Sequence, residues 1–448
     1  MPKLLRRLGA RDAALIVMGG IVGSGIFRNP SVVAKFAPDA VVIMAIWAMG
    51  GGIALLGGAV FAELAGRRPH DGGLYAYMRD AFHPVVAFMY GWTLLLVSQS
   101  GGMAAAAVTF AGYVTPWLGF HTSEAVAERV LALVAIGLFT VVNALGVRQG
   151  TNVQNAFMIV KIAAIAGFVA VGLFAPHAPA AASAVPSSFA GGSIVAAMGL
   201  ALVPVLFSYS GWQTSSFMSA ELRDPHVTLP RGMIVGVVTV VVLYLAVNAV
   251  SLRALGVANL AATNAPATAI AQLAFGQSGA VIITVVVALS TLGFLSNQIL
   301  TSPRVYFQMA ADGTFFKQLA TVSSRTHVPV LAIVAQGAVA GIITLSGAYD
   351  QILNYVTTVD YIFFGLSAIA LIVFRNRDAA GNVPKPFYVL PGYPWSAVLF
   401  LVIAWAIVGD VLFKSPGPTL IGLGILVSGM PVYWLFTRRR TEAVKVPT

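Results

Sequence analysis

Stretches of apolar sequence follow one another along this chain, each of about the length that crosses a bilayer, with no soluble domain inserted between them. They run over 12–37, 40–66, 84–114, 124–147, 151–174, 193–222, 227–254, 279–308, 328–347, 350–375, 394–413 and 417–437. Some 20 apolar residues span the hydrocarbon core, so the pattern predicts an all-α integral membrane protein with twelve transmembrane helices. The charge content fits a lipid environment: 9% of residues are charged, against about 25% in a soluble domain. The basic lead "MPKLLRRLGARDAALIVMGG" is similar to a signal peptide only in outline; no small-residue cleavage site precedes a soluble domain, and it reads as the entry to span 1.

The basic residues set the orientation. With the N-terminus cytoplasmic, twenty Lys and Arg fall on inside segments and five (Arg28, Lys35, Arg129, Arg253, Lys414) on outside ones. That is a strong positive-inside bias; it places both termini in the cytoplasm and accounts for a net charge of +11. The "TRRRTEAVK" tail is therefore an orientation signal rather than a nucleic-acid patch. An Ala/Pro/Ser-rich stretch at 175–193 separates spans 1–5 from spans 6–10 and is expected to be a loop.

Two spans are interrupted. Span 1 carries "GGIVGSGIFRNP" at 19–30, and span 6 carries Pro204 followed by polar Ser208, Ser210, Gly211 and Gln213. At 1.5 Å per residue, Gly23 lies roughly 17 Å from Asp12 and Phe207 roughly 21 Å from Ser193, counted from opposite faces. Both breaks thus fall near mid-bilayer. Five spans separate them, an odd number, so the broken spans run antiparallel, as an inverted five-span repeat requires (12–174 and 193–375, with 394–437 added). Unwound backbone in a membrane must line a cavity or be buried in protein. The outer half of span 1, opening near Ser24, would turn its free N–H groups toward a carboxylate. The ends of its inner half near Ile21, and of the outer half of span 6 near Phe207, would turn carbonyls toward an ammonium. The glycines would let the backbone open and a ligand approach; packing of Gly19 and Gly23 against a neighbouring helix is the competing reading.

Lys161 lies about ten residues into span 5, roughly 15 Å deep, and an intramembrane charge is a functional candidate. It is expected to contact the opened span 1, where its ammonium could replace a coupling Na⁺, or else to form a structural pair with Asp360. Asp360, equally deep in span 10, is a candidate pocket residue or a hydrogen-bond strut. Trp212 follows the second break, as a gate over the site or a packed aromatic. Glu63 reads as an ion pair with Arg67 or Arg68. All six His lie in loops or at helix ends and there is no Cys, which argues against metal, haem or other cofactor sites and excludes disulfides. No phosphate-binding loop or nucleophile elbow occurs, so an enzyme is not expected.

The motifs "GSGIF" (23–27), "FAELAGRRPHDGGLYAYMRDAF" (61–82), "FSYSGW" (207–212) with "AELRDP" (220–225), and "SPRVYFQMAADG" (302–313) resemble the amino acid–polyamine–organocation superfamily, in particular its bacterial L-amino-acid transporters. The resemblance extends to about residue 435. It implies a LeuT-like 5+5 inverted repeat with broken helices 1 and 6 plus two C-terminal helices. It also implies substrate contacts at Ile21, Gly23, Ser24, Gly25, Ile26, Phe207, Ser208, Ser210, Gly211 and Asp360, with Trp212 as gate and Lys161 in the coupling position of Na⁺-independent members. Ser210 stands where relatives often carry Gly, Asp360 where some carry Asn, and Ala311 where a basic residue is common. Without Cys, the disulfide-linked heavy chain of mammalian relatives is not expected.

The expected function is sodium-independent exchange of neutral L-amino acids across the bacterial inner membrane. Proton symport, cationic amino acids or amines as substrates, and a channel or sensor remain the alternatives.

Overall fold

A computed structural model describes residues 4–37, 39–118, 124–178, 194–346, 349–414 and 416–444. Helices make up nearly all of it, and among the described residues the sole β pairing is an isolated bridge between Leu8 and Leu222. In chain order the α-helices are α1 (Ala10–Ile21), α2 (Gly25–Ala34), α3 (Ala40–Arg67), α4 (Leu74–Ala81), α5 (Pro84–Thr93), α6 (Gln99–Leu118), α7 (Glu124–Ala144), α8 (Val147–Phe174), α9 (Ile194–Tyr209), α10 (Pro225–Ala262), α11 (Pro266–Phe275), α12 (Gln277–Thr301), α13 (Pro303–Ala311), α14 (Val330–Ser346), α15 (Tyr349–Ala380), α16 (Trp395–Lys414) and α17 (Pro416–Val444). A π-helical turn, Leu94–Ser98, joins α5 to α6, and a 3₁₀ segment, Trp212–Glu221, follows α9.

Nine described helical stretches are long and apolar enough to cross a membrane, and α1 with α2 makes a tenth if that pair, bent by 46°, is one span. Two of the expected spans are shorter than a straight crossing needs. The α14 helix has 17 residues and α9 has 16 before its 3₁₀ continuation. The loop expected over 175–193 lies, from residue 179 on, outside the described residues.

The helices are apolar on most of their circumference, so burial inside the bundle leaves apolar surface outside. On α7, Val126, Val130, Val134, Leu138 and Val141 form an exposed stripe, each at least half accessible. Spacings of three and four put these residues on one helix face, and a stripe of that length suits acyl chains rather than water.

Charged residues gather at the end of the bundle that holds the N-terminus. Glu63 accepts from Arg67 at 2.7 Å, from Arg375 at 2.5 Å and from the Leu390 N–H at 2.6 Å, which agrees with the structural ion pair expected there. Asp378 pairs with Arg67 and Arg68, and Asp312 with Arg79 at 2.6 Å. Glu221 and Arg304, both fully buried, meet at 3.0 Å. At this same end the Arg7 and Leu8 N–H groups donate to the Glu221 carbonyl, and the Arg223 N–H donates to the Leu8 carbonyl, each at 2.9 Å.

Candidate substrate site

The first break falls where the glycines and Ser24 suggested. The α1 helix ends at Ile21, Val22 is extended (φ −77°, ψ 99°), and α2 starts at Gly25. The first N–H groups of α2 have no intrahelical acceptor by position, and the Ser24 side chain does not cap them.

The carbonyls of the break are not left for a ligand alone. Tyr244 of α10 donates its hydroxyl to Ile21 O at 3.3 Å, Lys161 of α8 donates Nζ to Val22 O at 2.6 Å, and Ser290 of α12 donates Oγ to Gly23 O at 3.2 Å. Three helices thereby satisfy three consecutive carbonyls, as a low-dielectric interior demands. The expected amine site at Ile21 retains one lone pair, not two.

The second break lies two residues beyond its expected position. The α9 helix continues through Phe207 to Tyr209, and the Phe207 carbonyl accepts the Ser210 N–H at 3.2 Å. Ser208, in the last turn of α9, and Ser210, just past its end, donate their hydroxyls to the i−4 carbonyls of Pro204 and Leu206 at 2.8 and 2.9 Å, so both hydroxyls are satisfied locally. The chain turns at Gly211, whose φ of 118° is closed to L side chains at low cost.

The two breaks touch. A Cβ placed on Gly211 would lie 2.1 Å from the Gly20 carbonyl oxygen, and one on Gly20 would lie 2.7 Å from the Gly211 oxygen. Bare backbone crosses bare backbone here. Gly19 likewise packs against Gln154 and Asn297. Gly19 therefore serves helix packing, whereas Gly20, at the crossing, also lines the opening with Gly23 and Gly25. Farther along, Asn29 of α2 donates Nδ2 to Pro204 O at 2.9 Å and to Ser208 Oγ at 2.6 Å, joining the outer halves of the broken spans.

Beside the breaks lies a cavity of ≈ 160 Å³. Ile21, Gly23, Ser24, Gly25, Phe207, Ser208, Ser210, Gly211 and Asp360 line it, nine of the ten residues expected at a ligand. Ile26 does not; it is fully buried in the core. Trp212 is not over the cavity either. It is fully buried, with its ring 5.0 Å from that of Phe364; the aromatics on the cavity wall are Phe207, 40% accessible, and Phe294. Lys161 sits behind the break rather than in the cavity, 3% exposed, bonded to Val22 and not to Asp360.

Four further stretches contribute wall residues that pattern reading did not single out: Ser98, Gln99 and Thr109 from the π turn and α6, Thr214 after the second break, beside the Gln213 already noted, Thr291, Phe294 and Gln298 from α12, and Thr357 from α15. The polar "SQSGG" at 98–102 inside an apolar span was the available signal. Along α6 the lining runs from Gln99 toward Leu118, and along α15 from Asp360 back to Val356. The cavity therefore extends away from the charged end of the bundle.

A sequence profile for amino acid permeases matches residues 8–435. The chain belongs to the amino acid permease family. It is an integral membrane transporter protein of that family and not an enzyme. Among curated relatives, the Asc-type amino acid transporter 1 of Mus musculus is 30% identical over 98% of this chain and 83% of its own length. The b(0,+)-type amino acid transporter 1 of Oryctolagus cuniculus is 30% identical over 98% and 89%. The serine/threonine exchanger SteT of Bacillus subtilis (strain 168) is 28% identical over 98% of each chain.

Proposed function

We infer that this protein exchanges amino acids across the bacterial inner membrane by alternating access, without sodium, as one domain. In this reading twelve spans form two inverted five-span repeats, 12–174 and 193–375, followed by spans at 394–413 and 417–437, with both termini cytoplasmic. The observation that carries it is the cavity between two broken helices, with the N-terminus of α2, uncapped by the Ser24 side chain, on its wall. A helix N-terminus favours an anionic group, here the substrate carboxylate. The remaining acceptor capacity of the break carbonyls and the wall hydroxyls suits the α-ammonium.

Several observations support the rest. The relatives include an exchanger by name. Lys161 places its Nζ on Val22 O beside the α1 break, in space a coupling ion would otherwise use. With no Cys in the chain, a disulfide-linked partner has no attachment point. Twenty basic residues against five set the orientation.

Purified protein in liposomes tests the reading. Uptake of labelled amino acid should require unlabelled amino acid inside, and replacing Na⁺ by choline should change nothing. Uptake that follows only an imposed pH gradient supports the alternative of proton symport. Loss of uptake in choline medium overturns sodium independence.

A further inference from the structure

Asp360 is the one ionisable side chain on the cavity wall among the described residues. One of its oxygens accepts the Ser98 hydroxyl at 2.7 Å. Among the described residues no Lys, Arg or His forms an ion pair with it, and Lys161, the cation at comparable depth, is held by Val22 on the far side of the break. Ser98 reaches Asp360 because the span from Pro84 to Leu118 changes to a π-helical turn at Leu94–Ser98. Such a turn adds a residue and redirects the side chains that follow, and π turns recur at functional sites.

A carboxylate at mid-bilayer held by a single neutral donor is unbalanced. Charges within spans are paired or face a substrate path, and Asp360, half-buried, faces the cavity. Among the described residues the cavity wall supplies no counter-charge, which leaves that place to a cationic occupant. The backbone groups of an amino acid do not supply it: its carboxylate and ammonium cancel each other, and both are met at the helix breaks. A zwitterion with a further cation on its side chain leaves the filled cavity neutral.

We propose that Asp360, oriented by Ser98, is a subsite for the cationic end of the substrate's side chain, which makes the preferred substrates L-amino acids ending in an ammonium or guanidinium. The proposal rests on the amino-acid reading above and adds the substrate class. The cavity of ≈ 160 Å³ holds about five waters at roughly 30 Å³ each, room for the charged end of such a side chain beside the helix breaks.

Competition against labelled lysine in liposomes, with lysine, arginine, serine and leucine as competitors, tests it on wild type, Asp360→Asn and Asp360→Glu. Each variant is first matched to wild type in elution profile and thermal stability. In wild type, lysine and arginine should compete at least tenfold better than leucine or serine. Asp360→Asn should erase that preference, and Asp360→Glu should retain it. A wild type that prefers leucine or serine overturns the proposal while keeping the amino-acid reading, as does an Asp360→Asn variant with the wild-type ranking. If no amino acid is taken up or exchanged by wild type, the amino-acid reading itself fails, and the subsite with it.

Discussion

The backbone crossing of Gly20 and Gly211 gives opposite expectations for two glycines of the breaks. In Gly211→Ala, the added methyl would lie 2.1 Å from the Gly20 oxygen and 2.5 Å from its carbon, where ordinary contact begins at 3.4 Å. The overlap with the oxygen is 1.3 Å, and both atoms are backbone, so no rotamer change relieves it. The crossing must part or tilt, as in an overpacked core, at about 1–3 kcal/mol. A φ of 118° adds about 1–2 kcal/mol for a residue with a Cβ. Together these give about 2–5 kcal/mol, concentrated where the cavity is formed. In Gly23→Ala, by contrast, the nearest atom to the new methyl is in the Phe294 ring, 3.6 Å away. Thermal unfolding of detergent-purified protein, paired with liposome exchange, reads both. Gly211→Ala should melt well below wild type and lose exchange, and Gly23→Ala should melt with wild type. A Gly211→Ala protein with wild-type melting and exchange would refute the crossing.

Lys161→Ala removes the donor to Val22 O and leaves a buried carbonyl unpaired, at about 1–3 kcal/mol; the purified variant should remain monodisperse while exchange falls at least tenfold, and wild-type turnover would reject a role for the lysine. Glu221→Gln should destabilise by about 3–5 kcal/mol because it strands the buried Arg304 charge, whereas Glu221→Gln with Arg304→Met should recover much of the melting temperature. Outside the spans, burial and the neighbouring Glu221 push Asp71 up to about 6. A carboxyl with a raised folded pKa binds more protons folded than unfolded, so its effect on stability grows less favourable as pH rises between about 4 and 6. Asp71→Asn should therefore gain melting temperature over wild type at pH 7.5 and little at pH 4, and a difference independent of pH would remove Asp71 as its source.

Legibility in the sequence followed chemistry that acts locally. The α1 break was readable because Gly23, Ser24 and Gly25 interrupt an apolar run and no neighbouring side chain can restore helix there. The second break was misplaced by two residues because Ser208 looks like a breaker, yet its hydroxyl is satisfied by the carbonyl four residues back and the helix runs on to Tyr209. Partners from distant sequence were not readable. Nothing in "LLLVS" marks a π turn, and the link from Ser98 to Asp360 spans 262 positions. The same holds for Trp212: adjacency to a break says where the backbone turns, while Phe364 decides where the ring goes. Of the two glycines offered for packing, Gly19 meets Gln154 and Asn297, while Gly23 lines the cavity.

The stretch Leu8–Ile21 and the 3₁₀ segment after α9 meet twice, where Gly20 lies against Gly211 and where Leu8 hydrogen-bonds with residues 221–223. Two contacts at opposite ends turn two short rods into a single paddle. Neither rod can swing out of the bundle while the other stays behind, and a crosslink from either one to the surrounding helices should immobilise the pair.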